Sequence, residues 1–305
     1  MTKKITINTK TPYISEIRGS NILFTGAMGV GKSEAQISFL KRFSSYSRYR
    51  VLAFTHTMDE KSGDGRIWTR AGDSFPASKV SNANEIYEIV KEKDREGFVD
   101  IVVIDEVLFW GTELIPVLYK LNHEGRVCVL SALSYNFRFE RIPVVEFIAG
   151  WNNTGRDELS ALCQVSKGGK PCSRPADVSY LLYLAENGIK ICYDNKGVDA
   201  LWTPAHYWTQ TVQMQPTHDP HKIRPGEPYY VASCDNCFKI PGKDETFTVL
   251  NKIKNANERG LSKSELIQYD IPYLEEILRF LSDPQENRSV RKYEDKYVYS
   301  GPMDF

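Results

Sequence analysis

Residues 26–33 read Gly26-Ala27-Met28-Gly29-Val30-Gly31-Lys32-Ser33 and follow the apolar run Ile22-Leu23-Phe24. The stretch satisfies G-x-x-x-x-G-K-[ST] in full. Gly26, Gly29 and Gly31 let the backbone approach a polyphosphate closely, so that successive N–H groups converge as an anion nest. Lys32 is placed to reach the β- and γ-phosphates, and Ser33 to offer its hydroxyl to Mg²⁺. The helix that opens here adds its positive N-terminal end. Ile37, Leu40 and Phe43 then recur at helical spacing, as a helix packed on a sheet requires.

Outward from this loop, apolar runs alternate with helical patterns. Asn21–Thr25 precedes a helix over 31–43, Val51–Thr55 one over 84–93, Ile101–Ile104 one over 112–123, and Val127–Ala132 one over 143–149. This rhythm predicts an α/β fold, a parallel sheet covered by helices on both faces, over about residues 18–160. Within it, Asp100-Ile-Val-Val-Ile-Asp105-Glu106 pushes two carboxylates out at the C-terminal end of a buried strand, where such sheets hold ligands. Asp105 is suited to the hydration shell of Mg²⁺, and Glu106 to taking a proton from an attacking hydroxyl or water.

Beyond residue 160 the rhythm changes. Residues 162–165, 178–183 and 189–193 read as short strands, while 194–228 is rich in Pro, His, Trp and Gln without periodicity and reads as a long functional loop. In the last sixty residues, Ser262-Lys-Ser-Glu265 is a capping box, and Pro272 opens a helix carrying Leu274, Ile277, Leu278 and Leu281. Residues 290–293 and 296–299 flank Glu294-Asp295 as a hairpin, so the sequence predicts a winged-helix-like unit over 243–305. That segment is not basic: residues 246–305 hold nine Lys and Arg against ten Asp and Glu. Packing or oligomerisation is therefore expected of it ahead of duplex binding.

The chain has 305 residues and equal numbers, 39 each, of basic and acidic side chains, so it carries no overall electrostatic footprint for nucleic acid. The segment 1–17 reads as an N-terminal arm without a signal-peptide core, and no run approaches a membrane span. A soluble, cytoplasmic protein is expected. Six cysteines in such a setting point to thiols or metal ligands ahead of disulfides, with Cys128 and Cys192 as core thiols.

With these motifs in this order, the chain resembles the type II, zinc-containing thymidine kinases over roughly residues 20–240. Gly26 to Ser33 matches the phosphate loop, and residues 63–77 resemble the segment leading to the thymidine side. Asp105-Glu106-Val-Leu-Phe109 resembles the family's D-E-x-Q-F segment, which implies Glu106 as general base and Phe109 packed at the nucleoside. Asn136-Phe137-Arg138 resembles the [TD]-F-[QR] turn, implying an aromatic wall from Phe137 and a phosphate-facing cation from Arg138. Cys163, Cys172, Cys234 and Cys237 fall where the family places four structural zinc ligands. Cys234-Asp-Asn-Cys237 has knuckle spacing, whereas eight residues separate Cys163 from Cys172. His218 and His221 stand as alternatives for one ligand. Tyr230, four residues before Cys234, matches the tyrosine of the lasso that closes over the base, which makes residues 161–242 a zinc and lasso unit.

The resemblance implies ATP, Mg²⁺ and a structural Zn²⁺, a deoxynucleoside substrate and a tetramer. Three departures bear on the base pocket: Leu108 stands in place of glutamine, the lasso lacks Ile-Gly-Gly, and Lys61 stands near a common arginine. The expected activity is transfer of the ATP γ-phosphoryl to a deoxynucleoside 5′-OH. Two rivals share the same motifs: a P-loop ATPase acting on nucleic acid, and a kinase-derived nucleotide sensor with a winged-helix module.

Overall fold

The structure is a computed structural model that describes residues 14–46, 49–59, 65–69, 72–193, 196–210, 219–283 and 289–301. Lys61, Gly63, Asp64, Arg70, Ala71, His218 and most of the arm 1–17 lie outside these residues.

The first half alternates strand and helix: β1 (Asn21–Gly26), α1 (Lys32–Tyr46), β2 (Val51–His56), β3 (Ser78–Val80), α2 (Ala83–Lys93), β4 (Ile101–Ile104), α3 (Leu114–His123), β5 (Val127–Leu133), α4 (Pro143–Ala149) and β6 (Thr154–Glu158). The six strands form one sheet, parallel throughout, in the order β3-β2-β4-β5-β1-β6. Both faces are buried. On one, Ile86, Val90, Leu114, Leu118, Leu121, Val145 and Ile148 of α2, α3 and α4 pack on Val102, Ile104, Cys128 and Leu130. On the other, Ile37, Phe39, Leu40 and Phe43 of α1 pack on Ile22, Phe24, Val103 and Val129. Two faces in need of cover explain why these strands are continuously apolar instead of alternating. The third helix begins at Leu114, not Thr112, because Gly111 (φ 58°, ψ −160°) breaks the preceding 3₁₀ turns; Pro116 then sits in the first turn, where its missing N–H costs little.

A smaller antiparallel sheet follows, from β7 (Val178–Ala185), β8 (Leu201–Pro204) and β9 (Tyr229–Ser233) in the order β8-β7-β9. Strand β8 corrects the reading of 194–228 as loop throughout. Its signal is a single buried side chain, Trp202, packed on Tyr229 at 5.2 Å between ring centroids. The strands expected over 162–165 and 189–193 are fragmentary: Ala161–Leu162 pairs with Pro175–Ala176, and Cys192–Tyr193 with Lys196–Gly197.

The C-terminal residues form α5 (Lys243–Asn255), β10 (Leu261–Ser262), α6 (Lys263–Ile267), α7 (Leu274–Ser282), β11 (Val290–Tyr293) and β12 (Lys296–Tyr299), with strands ordered β10-β12-β11. The capping box is reciprocal: Ser262 Oγ accepts from the Glu265 N–H, and the Glu265 carboxylate accepts from the Ser262 N–H. Helix α7 starts at Leu274 and not at Pro272, because Tyr273 takes the left-handed conformation (φ 57°). Val249, Ile253, Leu266, Ile277, Leu278 and Leu281 form a separate core, which also takes in Tyr207 from the preceding segment. Among the described residues no helix is long and apolar enough to cross a membrane.

Candidate active site

The phosphate loop leaves the C-terminal end of β1, and the carboxylates leave that of β4. These strands are not neighbours, because β5 lies between them. Ile104 pairs with Leu130 of β5, and Ser131 of β5 pairs with Phe24 of β1. Asp105 therefore stands level with Phe24, two strand spacings or about 10 Å away, and both motifs open on one edge of the sheet. That separation suits a metal–triphosphate held between them.

Ser131, on the intervening strand β5, holds the carboxylate side. Its hydroxyl donates to Asp105 Oδ1 at 2.5 Å and accepts the Glu106 N–H at 2.9 Å. Glu106 departs from strand geometry into the left-handed region (φ 45°, ψ 68°), which turns its side chain away from the continuation of β4. Its Oε2 is buried and has no hydrogen-bond partner, so the carboxylate retains a lone pair for an incoming hydroxyl. Burial pushes the Asp105 carboxyl up to about 7, and the neighbouring charges of Glu106 and Asp59 add to the effect, while the Ser131 bond opposes it. Carboxylates placed in this way are completed by a cation, and the oxygen donor set fits Mg²⁺. Behind them, Gln36 of α1 donates to the carbonyl of Ile104 at 3.2 Å, tying the helix of the phosphate loop to the carboxylate strand.

The loop has the tightness of a phosphate cradle. A Cβ on Gly26 would meet the carbonyl oxygen of Leu159 at 2.3 Å, so only glycine fits. Gly29 and Gly31 take φ of 78° and 90°. Lys32 is only 6% exposed, and its Nζ donates to the loop carbonyls of Ala27 (2.8 Å) and Gly26 (3.4 Å). The ammonium thus sits within the ring of its own loop. At the crown, the Met28 N–H donates to Ser179 Oγ of β7 at 2.9 Å.

Of the aromatic residues, Phe137 and Tyr230 are brought together in a small buried cluster with Leu181 and Ala205, against which Met28 and Tyr183 pack. Burial and nearby Tyr183 raise the Tyr230 hydroxyl pKa. Phe109 stands elsewhere, its ring stacked on His56 at 6.1 Å, while Trp110 Nε1 donates to the carbonyl of Asp105. Arg138 does not present itself as a surface cation. Its guanidinium is buried over the Phe137 ring, with Nε on the carbonyl of Tyr207 and Nη2 on that of Thr209, both at 2.7 Å. The Nε and Nη2 edge of the fork expected to face a phosphate is thus engaged by backbone oxygens.

The four cysteines converge, with all Sγ atoms of Cys163, Cys172, Cys234 and Cys237 within 4.8 Å of one another. The irregular first pair has a simple cause. Residues 164–171 form a hairpin, Ser166–Lys167 against Lys170–Pro171, whose turn residues Gly168 and Gly169 both have positive φ, as a tight primed turn needs. The extra residues are spent in the hairpin, and Cys172 returns beside Cys163. Its N–H binds the carbonyl of Val165, and that of Cys163 binds Arg174. The second pair is a knuckle in which the N–H groups of Cys237 and Phe238 both point at the carbonyl of Cys234. Arg174 draws the Cys172 thiol down to about 6, whereas burial and neighbouring sulfurs push Cys237 up to about 12. The Cys172–Cys234 separation of 4.0 Å is close to the roughly 3.8 Å edge of a ZnS₄ tetrahedron, so the donor set is compatible with zinc. Among the described residues no histidine joins the group; His221 is exposed on a separate 3₁₀ turn.

Two residues of the site were not singled out from sequence, Ser131 and Ser179. Each is a buried serine inside an otherwise apolar strand, and that interruption was the available signal.

A phosphate loop and a carboxylate pair on a common edge of a parallel sheet define a P-loop α/β fold, consistent with a kinase. A family model described as Thymidine kinase matches residues 19–191, more than half of the chain. Curated proteins named Thymidine kinase are similar to it. That of Mycoplasma mycoides subsp. mycoides is 26% identical over 248 residues, covering 79% of this chain and 99% of the relative. That of Halobacterium salinarum is 28% identical over 222 residues, 72% of this chain and 93% of the relative. That of Mycoplasma capricolum is 31% identical over a shorter 135 residues, 44% of this chain and 64% of the relative. The chain belongs to the thymidine kinase family. The family match does not favour the nucleic-acid ATPase reading.

Proposed function

We propose that this protein transfers the γ-phosphoryl of ATP to the 5′-OH of thymidine or a closely related deoxynucleoside. The observation that carries the reading is the buried, unpartnered Oε2 of Glu106, on the sheet edge from which the phosphate loop also leaves. The backbone of residues 26–33 cradles the triphosphate. Lys32 exchanges its bonds to the Ala27 and Gly26 carbonyls for phosphate oxygens, so that its charge stays within the loop until substrate arrives. Ser33 and Asp105 would hold Mg²⁺, which when bound would offset the charge on the phosphates. Glu106 accepts the proton of the nucleoside hydroxyl as the phosphoryl group leaves ADP. Phe137 and Tyr230, which pack together, are assigned to the nucleoside, and Phe109, packed apart from them on His56, keeps the nucleoside role that the family resemblance implies.

The four cysteines hold a structural Zn²⁺. The chain is divided as an arm 1–17, a kinase domain 18–160, a zinc and lasso unit 161–242 and a C-terminal unit 243–305. The order helix, strand, two helices, hairpin supports a winged-helix-like reading of the last. A cytoplasmic tetramer completes the proposal.

The test is ATP-dependent phosphorylation of a panel of nucleosides by the wild-type chain and Glu106→Gln. We expect thymidine or a close analogue to be phosphorylated, with turnover lowered about a thousandfold or more in the variant while ATP still binds. Undiminished turnover in Glu106→Gln would remove the glutamate from its role, and the absence of any nucleoside-dependent transfer would remove the activity.

A further inference from the structure

The turn expected to carry a phosphate-facing cation is instead fastened to the C-terminal unit. Residues 135–141 form a tight reversal. Asn136 Oδ1 accepts from the N–H groups of Arg138 and Glu140, the Asn136 N–H donates to the carbonyl of Glu140, and Tyr135 bridges Arg141. From this reversal two side chains reach the segment 205–210. Arg138 uses Nε and Nη2, the two donors along one edge of its planar fork, on the carbonyls of Tyr207 and Thr209. Glu140 accepts the hydroxyl of Tyr207.

The same segment is gripped from the other side. The Tyr207 ring is buried in the C-terminal core, 5.7 Å from Phe247 of α5 and 5.7 Å from Phe280 of α7. Its N–H donates to the carbonyl of Pro241, and Trp208 packs on Tyr273 at 5.2 Å. The Arg138 guanidinium itself lies 4.9 Å from the centre of the Phe280 ring and 4.8 Å from that of Phe137. One cation thus touches the aromatic residue of the proposed nucleoside side, the segment that leads toward residues 211–218, and a helix of the C-terminal unit. The family match ends at residue 191, so the parts that meet at Arg138 come from inside and outside it.

We propose that Arg138 is a positioning residue through which the C-terminal unit holds the segment 205–210 against the Phe137 turn, so that this unit sets the nucleoside side of the site. The proposal rests on the reading of Phe137 and Tyr230 as nucleoside-side residues. A buried structural staple would lower stability without favouring either substrate; a positioning residue here changes handling of the nucleoside and leaves that of ATP alone.

The experiment compares the full-length wild type with Arg138→Met, Arg138→Lys and Phe280→Ala. It measures KM separately for thymidine and for ATP, and amide hydrogen exchange of residues 205–210 without substrate. We expect the thymidine KM to rise about tenfold in Arg138→Met, with the ATP KM within about twofold. Arg138→Lys should fall between, because an ammonium cannot span both carbonyls. Phe280→Ala, remote from the substrates, should shift the thymidine KM in the same direction. Exchange of the 205–210 amides should quicken in Arg138→Met and Phe280→Ala.

Parallel rises in both KM values, or unchanged KM values, would overturn the proposal. If Arg138→Met does not fold cooperatively, Arg138→Lys and Tyr207→Phe carry the same comparison. Should the wild type phosphorylate no nucleoside, the proposed function fails by itself. Hydrogen exchange then decides whether Arg138 fastens the segment, and unaltered exchange rejects that too.

Discussion

The side chain of Ser179 accepts the backbone N–H of Met28 at 2.9 Å, so the crown of the phosphate loop is held by a strand of the cysteine-bearing unit. Ser179 pairs with Ala232 and its neighbour Val178 with Ser233, the residue before Cys234. A continuous path of hydrogen-bonded backbone therefore runs from the sulfur cluster to the loop that cradles phosphate.

Removing that hydroxyl should loosen the crown without touching the chemistry. One neutral hydrogen bond is worth about 1 kcal/mol, or about fivefold. Ser179→Ala is expected to raise the KM for ATP by about that factor, with the KM for nucleoside unchanged, as steady-state kinetics with each substrate varied in turn would reveal. An ATP KM equal to that of the wild type would mean the bond contributes nothing to nucleotide binding.

The four thiols lie too close together for all of them to ionise without a cation among them, and they join the 163–172 hairpin to the Cys234–Cys237 knuckle that follows β9. Purified protein is expected to contain about one zinc per chain. Chelation, or Cys237→Ser, should lower the melting temperature by several degrees or more and also raise the KM for ATP through Ser179. Metal analysis alongside calorimetry checks both; metal-free protein with an unchanged melting temperature would refute the assignment.

Burial raises the Asp105 carboxyl to about 7 from an ordinary value near 3.8. A raised folded-state value means that the folded protein binds the extra proton between those two pH values. Stability contributed at this position is therefore lost as pH rises from about 4 to about 7, and the penalty is complete above that. In EDTA at pH 8, Asp105→Asn should melt a few degrees higher than the wild type, with the gain shrinking toward zero near pH 4. Saturating Mg·ATP should reverse the order at pH 8 by compensating the charge. A pH-independent difference between the two proteins would show that the carboxylate carries no such strain.

Much of the first 160 residues was legible in sequence because two faces of a parallel sheet demand uninterrupted apolar strands, and the punctuation between them is unambiguous. Strand β4 and helix α4 begin and end where the apolar pattern does. The C-terminal elements were legible for a different reason: a capping box and an amphipathic repeat are local signals. Strand β8 was not, since a single buried Trp202 among Pro, His and Gln makes no period. The hairpin between Cys163 and Cys172 was visible only as an odd spacing, although Gly168-Gly169 marks its turn.

The residue types along the chain determined the phosphate loop, the carboxylate pair and the Cys234–Cys237 knuckle, because each depends on chemistry concentrated within a few consecutive positions, while Cys163 and Cys172 joined the set through the family resemblance. Tertiary structure alone decided that Ser131 holds the Asp105 carboxylate, that Ser179 holds the loop, and that Arg138 meets the Tyr207 and Thr209 carbonyls. Those partners lie from 26 to 151 residues apart in sequence. Contacts of that range are fixed by which strands the sheet places side by side, which local pattern does not specify.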